Sequence, residues 1–236
     1  MESLFSTLNI KSVKESFVDE MLHKIISGDL KPGDRLPPER EIAAETGISR
    51  GVVNQGLLQL EAMGFVEVRP RHGTTVADFK KYPTPQSIDA LMKYGSSDID
   101  AKLLDDMIVF RIIIEKESAK LACENAYEST LEKMEEQIGR MNTSSEQCAD
   151  AQYQFHYRMT QASGNYFFSM IFRGFESVIK ALIKQHYDLF PKDMETAPEV
   201  HGKLLAAIRS KNTKLACKLA EEILLSGKVA LEDKNK

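Results

Sequence analysis

The chain of 236 residues contains no tryptophan and only three cysteines, Cys123, Cys148 and Cys217. The cysteines are odd in number, lie far apart and form no Cys-x-x-Cys pair, which excludes a disulfide framework and a zinc ribbon. No uncharged apolar stretch approaches the roughly 20 residues that a membrane span needs. The opening segment MESLFSTLNIKSVKE also lacks the basic and apolar regions of a signal peptide. We therefore expect a cytoplasmic protein with reduced thiols and no membrane contact.

Positive charge is also scarce. The formal net charge is −4, and residues 1–79 carry 9 Lys and Arg against 12 Asp and Glu. Charge alone thus argues against nucleic-acid binding, which usually leaves a basic patch. Only cations that face the phosphates release counterions, however, so their placement matters more than the sum. Five arginines fall in or beside the elements described next: Arg35, Arg40, Arg50, Arg69 and Arg71.

The first eighty residues change from a helical period to a strand period. Apolar residues recur every four positions from Val13 to Ile25, which predicts a helix. Gly47 permits a tight turn, Ser49 is a helix N-cap, and Gly64 ends the helix that Ser49 begins. The predicted order is helix 12–27, helix 39–46, helix 49–63, strand 65–69 and strand 74–77. This order is that of a winged helix-turn-helix.

The remainder of the chain is helical after a proline-rich break at Pro83-Thr-Pro85. The fold class is therefore mainly α, with an N-terminal winged helix-turn-helix that has a two-stranded wing and a C-terminal all-α helical bundle. We place the first domain at 1–79, a linker and short helix at 80–97, and an effector-binding and dimerisation domain at 98–232. Helices are predicted near 88–94, 98–126, 130–142, 145–163, 166–190, 197–211 and 213–231. Their N-caps are assigned to Asp98, Ser129, Ser145 and Thr213.

The third predicted helix would enter the major groove of DNA with its N-terminal residues at the base edges. Arg50 can bind guanine or a phosphate, and Asn54, one turn later, can bind adenine through two hydrogen bonds. The full set of predicted DNA-binding residues is Arg35, Arg40, Ser49, Arg50, Asn54, Gln55, Arg71, His72, Gly73 and Thr74. The alternative is a winged-helix domain that binds protein partners, with Arg50 as a solvated surface cation.

Three segments carry a resemblance. Gly33-Asp-Arg-Leu-Pro-Pro-Glu-Arg-Glu-Ile-Ala, Gly47-Ile-Ser-Arg and Leu57-x-x-Leu-x-x-x-Gly-Phe-Val resemble the DNA-binding domain of the GntR family of bacterial regulators. The resemblance implies that Arg40 and Arg50 contact DNA and that the wing enters the minor groove. Where the family usually has Arg-Glu-Ala-Leu, this chain has Asn54-Gln-Gly-Leu57. We therefore expect an operator that differs from the commonest family sequence.

The helical part resembles the ligand-binding domain of the FadR-type subgroup. The resemblance rests on Arg111-x-x-x-Glu115, Gln152-Tyr-Gln-Phe-His156, Ala162-Ser-Gly-Asn165 and His201-x-x-x-x-Ala-Ala-Ile. It implies an effector pocket at Arg111, Gln152, His156, Asn165 and His201. His156 and His201 can instead be hydrogen-bonded core histidines. Arg111 is costly to bury unpaired, so either Glu115 or an anionic effector group is its partner.

Many members of this subgroup hold a divalent metal with an Asp four residues before the first His and two further histidines. Gln152 occupies that Asp position here, and the last His position falls at Ile223 or Leu224. We therefore expect no metal and no other cofactor, although a metal-sensing regulator of the same fold remains an alternative. The fatty-acid regulator of the subgroup also lacks the metal, which makes acyl-CoA one candidate effector beside a small carboxylate.

These observations predict a homodimeric transcriptional regulator, a repressor, that binds double-stranded operator DNA under control of a small acidic or acyl-type effector. An enzyme is not expected, because the five histidines are scattered and no glycine-rich phosphate loop is present.

Overall fold

The computed structural model describes the backbone of residues 11–94 and 97–232. The chain forms two compact units, residues 1–100 and 101–236. Within the described residues, no helix is long and apolar enough to cross a membrane. The predicted N-cap Asp98 and the first ten residues of the predicted DNA-binding domain lie outside the part whose side chains are described.

The first unit is a winged helix-turn-helix. Its elements are α1 (Val13–Ser27), α2 (Glu39–Thr46), α3 (Arg50–Ala62), β1 (Val66–Arg69), β2 (Gly73–Val76) and α4 (Pro85–Tyr94). Ser12 and Glu15 form a capping box that fixes the start of α1. The apolar stripe of α1 packs on α3, and their shared core includes the buried Phe17, Leu60 and Phe65. The predicted fold of this unit is confirmed.

The wing is an antiparallel hairpin in which Val66 pairs with Val76 and Arg69 with Gly73. The extended segment before α2 lies along its second strand. The Leu36 amide donates to the Thr74 carbonyl over 2.9 Å, and the Val76 amide donates to the Asp34 carbonyl over 2.9 Å. These bonds hold the segment that carries Arg35 against the wing.

The second unit is all-helical. Its elements are α5 (Ser97–Asn125), which begins before the unit boundary, α6 (Glu128–Ile138), α7 (Ser145–Ala162), α8 (Tyr166–Gly174), α9 (Glu176–Leu189), α10 (Asp193–Arg209) and α11 (Thr213–Glu232). The central helix α7 packs against α6, α8 and α9. It supplies Tyr153, Phe155 and Met159 to the core, all of them at most 1% exposed.

Four details of the helical unit differ from the sequence prediction. The predicted helix 166–190 is interrupted at Phe175, whose φ of −107° and ψ of 20° leave the helical region while its ring packs on Phe110. The N-cap residues also shift. Tyr127 precedes α6 instead of Ser129, Ser144 caps α7 instead of Ser145, and the Asn212 side chain accepts from the Leu215 amide at the start of α11.

Candidate functional site

The turn between α2 and α3 presents the N-terminus of α3 to solvent. Gly47 adopts a φ of 71°, a left-handed conformation that a side chain would strain. The Ser49 hydroxyl accepts a hydrogen bond from the Val52 amide over 3.3 Å and caps α3. Arg50 follows the cap and is exposed, as is Gln55 one turn further. An exposed cation at a capped helix N-terminus is the arrangement with which a recognition helix meets DNA.

Asn54 has a partner inside the protein. Its side-chain amide nitrogen donates to Oε1 of Glu39 over 2.9 Å, which links α3 to the start of α2. The predicted adenine contact needs this same amide group as a donor. The structure therefore gives Asn54 the role of fixing α2 against α3, and any base contact requires this bond to open.

The wing tip carries exposed cations beside a backbone that can approach DNA closely. Arg71 has a φ of 66°, Gly73 has a φ of 85°, and the His72 amide donates to the Arg69 carbonyl. A Cβ atom added to Gly73 would lie 3.3 Å from Nε of Arg35, so the Arg35 guanidinium lies against the wing tip. Thr74 differs from the prediction, because its side chain is buried.

The pairing of charges leaves several arginines of this acidic unit without an acidic partner. Several acidic side chains of this unit bind groups of their own domain. Their partners are as follows: Glu15 binds the Ser12 amide, Asp34 the Lys31 amide, Glu39 the Asn54 amide, Glu61 the Val68 amide and Glu67 the Arg69 guanidinium. Four exposed arginines form no ion pair within the described residues: Arg35, Arg40, Arg50 and Arg71.

The helical unit encloses a cavity of about 290 Å³ between α5, α7, α9, α10 and α11. Its polar lining includes Arg111, Gln152, His186, Tyr187 and His201. Its apolar lining includes Ile108, Leu182, Ile183, Val200, Ile223 and Leu224. A pocket of mixed lining with a few convergent polar groups is typical of a small-molecule site.

Arg111, Glu115 and His156 form a buried ionic group at this cavity. Nε of Arg111 donates to Oε1 of Glu115 over 2.7 Å, and Nδ1 of His156 lies 2.6 Å from Oε2 of Glu115 in an ion-pair contact that is not a straight hydrogen bond. Burial alone would raise the pKa of Glu115, but Arg111 and His156 outweigh it and lower that pKa to about 2. The carboxylate is therefore ionised at neutral pH.

His201 extends this group to the backbone of α10. Its Nδ1 lies 2.8 Å from the Ala197 carbonyl, which can only accept, so Nδ1 carries the proton. Burial and the neighbouring His156 lower the pKa of His201 to about 3, so the ring is neutral and its Nε2 is an acceptor. Nε2 of His156, 3.2 Å away, must then be the donor.

His156 therefore lies between Glu115 and His201: its Nε2 binds His201, and its Nδ1 makes the ion-pair contact with Glu115. Arg111 brings a buried positive charge to the cavity, and Glu115 a buried negative charge beside it. Among the described residues, no acceptor hydrogen-bonds the terminal guanidinium nitrogens of Arg111, which lines the cavity.

Gln152 and His186 are held by neighbours at the cavity wall. The Gln152 amide nitrogen donates to the Tyr187 hydroxyl and lies 3.7 Å from Sγ of Cys148. His186 pairs through Nε2 with the half-exposed Asp193 over 3.2 Å, and burial lowers its pKa although Asp193 opposes that shift. Asp193 lines the cavity and is half-exposed, so its negative charge lies at the solvent side of the cavity.

Asn165 is not brought to the cavity. It is the N-cap of α8, where its side-chain oxygen accepts from the Phe167 amide over 3.0 Å and from the Phe168 amide over 3.3 Å. Sequence reasoning also missed lining residues of α9. Leu182, Ile183, His186 and Tyr187 follow an i, i+1, i+4, i+5 pattern on one helix face, which is a signal that would have placed them together.

The residues at the subgroup's metal position do not fit a divalent metal. Within the described residues, no group of three or more His, Cys, Asp or Glu side chains could hold a metal ion. The two ring nitrogens of His156 contact His201 and Glu115, and the Gln152 amide binds Tyr187. Ile223 and Leu224 present aliphatic groups to the cavity.

A tight turn, a capped helix that begins with an unpaired arginine and an arginine-bearing wing define a winged helix-turn-helix DNA-binding protein, here joined to a helical ligand-binding domain. Family models match residues 14–76 to the bacterial regulatory proteins of the gntR family and residues 106–226 to the FCD domain. The chain therefore belongs to the GntR family of transcriptional regulators, in the FadR-type subgroup that carries the FCD domain.

Three relatives illustrate this similarity. Mce2R, an HTH-type transcriptional regulator of Mycobacterium tuberculosis, is 28% identical over 133 residues. The match covers 56% of this chain and 55% of Mce2R, so the chain spans about half of that relative's length. The galactonate operon transcriptional repressor of Escherichia coli is 24% identical over 213 residues, which cover 89% of this chain and 93% of that protein. The solved structure of Lar from Listeria monocytogenes shares the fold, with a TM-score of 0.63, 19% identity and coverage of 94% and 98%.

Proposed function

We propose that the chain is a repressor that binds a palindromic operator as a homodimer, and that a small carboxylate in the cavity of the helical unit weakens this binding. The proposal is for a regulator and not for an enzyme. The E. coli relative is named as a transcriptional repressor, which supports the sign of the regulation. A ligand controls operator affinity only if it binds two states of the protein with different affinities.

Arg50 is the residue on which the DNA proposal depends, because it is exposed, unpaired and first on α3. Arg50→Ala should weaken binding to the upstream region of the chain's own gene by about fivefold to 160-fold for each half-site, since a good arginine–guanine contact contributes about 1–3 kcal/mol. Fluorescence anisotropy measures this loss. Arg69→Ala is the matched control, because Arg69 is already paired with Glu67. Unchanged affinity of Arg50→Ala would favour the protein-interaction module instead.

The buried guanidinium of Arg111, whose terminal nitrogens meet no acceptor among the described residues, is the single observation that carries the effector proposal. A buried cation needs a counter-charge, and Arg111 can offer its terminal nitrogens to a carboxylate. The apolar lining by Leu182, Ile183 and Leu224 suits an aliphatic chain. A cavity of about 290 Å³ suits a free carboxylate better than an entire acyl-CoA, whose charges lie on remote phosphates.

Isothermal titration with straight-chain monocarboxylates from acetate to decanoate, beside their CoA thioesters, tests this choice. We expect heat from the free acids, which Arg111→Gln abolishes. The control Arg158→Gln, at a partly buried arginine outside the cavity lining, should keep this heat. Heat from the thioesters alone would make acyl-CoA the effector. If neither the free acids nor the CoA thioesters give heat, the proposal of an acidic effector is refuted.

An exposed apolar surface supports the homodimer. Residues that flank α8 contact α5: the Phe175 ring packs on Phe110, and the Ser163 carbonyl accepts a hydrogen bond from the Asn125 side chain. Their apolar side chains that are at least 47% exposed are Val109, Ile113, Tyr166, Phe167 and Met170. A stable interface buries about 800 Å² on each partner, and an aromatic side chain supplies about 150 Å² or more.

A second copy of the chain is therefore the proposed occupant of this surface, in a two-fold contact that matches a palindromic operator. Phe167→Glu should convert the dimer to a monomer in analytical ultracentrifugation at micromolar concentration. Leu215→Glu, at an exposed apolar position of α11, is the matched control. A dimer that tolerates Phe167→Glu would place the interface elsewhere.

A further inference from the structure

The metal position of the subgroup contains a continuous chain of polar contacts in this protein. The chain runs from the Arg111 guanidinium through Glu115, His156 and His201 to the Ala197 carbonyl, with N–O and N–N separations of 2.7, 2.6, 3.2 and 2.8 Å. All four side chains are buried, with exposed fractions of 0–6%. Each contact occupies an atom that a metal ion or a cavity ligand would otherwise use.

We propose that Glu115, His156 and His201 are positioning residues that replace the metal: they hold the Arg111 guanidinium at the cavity, so that the anion is bound by a fixed side-chain cation. This inference rests on the proposed anionic effector. Arg111 has one fixed nitrogen, because Nε binds Glu115, and its terminal nitrogens remain available. Glu115 is itself fixed by His156, and His156 by a neutral His201 that the α10 backbone orients.

Electrostatics support the same conclusion. A divalent cation beside His156 and His201 would be buried near the Arg111 guanidinium, where like charges are costly, and the Glu115 carboxylate is already bound by Arg111. The surrounding donors do not offset this cost, since Gln152 is neutral and Ile223 and Leu224 have no donor atom. A guanidinium held by a carboxylate also offers two parallel donors to a carboxylate ligand, a geometry that a lysine cannot reproduce.

Metal titration of the full chain tests the proposal without an effector. Isothermal titration with Zn²⁺ and with Ni²⁺ should give no saturable binding to the wild type that depends on His201. The variant Gln152→Asp with Leu224→His restores the missing ligands and should bind either metal with a 1:1 stoichiometry. Wild-type binding that His201→Gln removes would overturn the proposal. Failure of the restored variant would also overturn it, because the chain of contacts would then not occupy a metal position.

Two further readouts distinguish positioning from mere structural support. Nitrogen-15 NMR of the histidine rings should show a neutral ring for His201 with its proton on Nδ1; a proton on Nε2 of His201 would contradict the assigned series of contacts. With octanoate as the probe, Glu115→Gln should weaken binding at least tenfold without loss of secondary structure, and Glu115→Asp should recover part of it. If octanoate fails to bind the wild type, the proposed effector class is wrong, while the metal and NMR results still decide this inference.

Discussion

Gly56 lies where α3 crosses α1, and its lack of a side chain makes room for Phe17. A Cβ added at position 56 would approach two ring carbons of Phe17, with Cε1 at 2.7 Å, and would lie 3.5 Å from Cγ2 of Val18. Phe17 is 5% exposed and belongs to the core of this unit, so its ring cannot move freely. Gly56→Ala therefore combines a better helix former with an overpacked contact.

The two effects have opposite signs and comparable sizes. Alanine gains about 1 kcal/mol over glycine inside a helix, whereas overpacking a filled core costs about 1–3 kcal/mol. We expect Gly56→Ala to lower the free energy of unfolding of the first unit by roughly 1 kcal/mol. Gly51→Ala, in the same helix, is the control, because its Cβ would meet only Oγ of Ser49 at 4.0 Å. That variant should be neutral or more stable by up to about 1 kcal/mol.

The chain has no tryptophan, so unfolding in urea is followed by far-UV circular dichroism together with hydrogen exchange in α1 and α3. Phe17→Leu in the Gly56→Ala background should relieve the contact, which gives a coupling energy of about 1 kcal/mol in a double-mutant cycle. The reasoning is refuted if Gly56→Ala stabilises the unit as much as Gly51→Ala does, or if the two substitutions are additive.

Three further predictions use other features. Gly73→Ala should weaken operator binding severalfold in fluorescence anisotropy, because it strains a φ of 85° and crowds Arg35; full affinity would show that the wing tip is not close to DNA. Burial raises the pKa of the Cys148 thiol to about 11, so iodoacetamide at pH 8 should modify the less buried Cys217 first by mass spectrometry; prior labelling of Cys148 would contradict its burial. Burial lowers the pKa of His201 from 6.5 to about 3, so between these pH values the ring binds a proton in the unfolded chain but not in the folded one. The free energy of unfolding should therefore fall as the pH falls through that window. His201→Gln should flatten this part of a urea-unfolding series in pH, and an unchanged slope would exclude His201 as its source.

The local features of the fold were predictable because they depend on neighbouring residues. The cap at Ser49, the turn at Gly47 and the Arg111–Glu115 pair each involve residues at most four positions apart. The partner of Asn54 was not predictable in this way, since Glu39 lies 15 residues earlier and meets it only after α2 packs on α3.

At the cavity, contacts between helices that are distant in the sequence could not be predicted from the sequence pattern. The approach of His156 to His201, 45 residues apart, was expected only through the resemblance to a metal site. The tautomer of His201 could not be expected, because it follows from the contact of its Nδ1 with the Ala197 carbonyl. Asn165 was misplaced for a related reason: the resemblance of the segment Ala162-Ser-Gly-Asn165 to the subgroup identified the residue, but its side chain accepts from the amides of its own helix.

The segment Asn54-Gln-Gly differs from the usual family segment, and most of its side-chain changes affect contacts inside the protein. Asn54 binds Glu39, and Gly56 admits the Phe17 ring, so two of the three changes adjust the packing of α3 against α2 and α1. Only Gln55 is exposed. Arg50 keeps its family position. The operator should therefore differ from the commonest family sequence at the bases that Gln55 can reach, and wherever a changed angle of α3 alters the contacts. Substitutions at Gln55 should therefore alter base preference at one position, whereas substitutions at Asn54 and Gly56 should alter affinity for all operators alike.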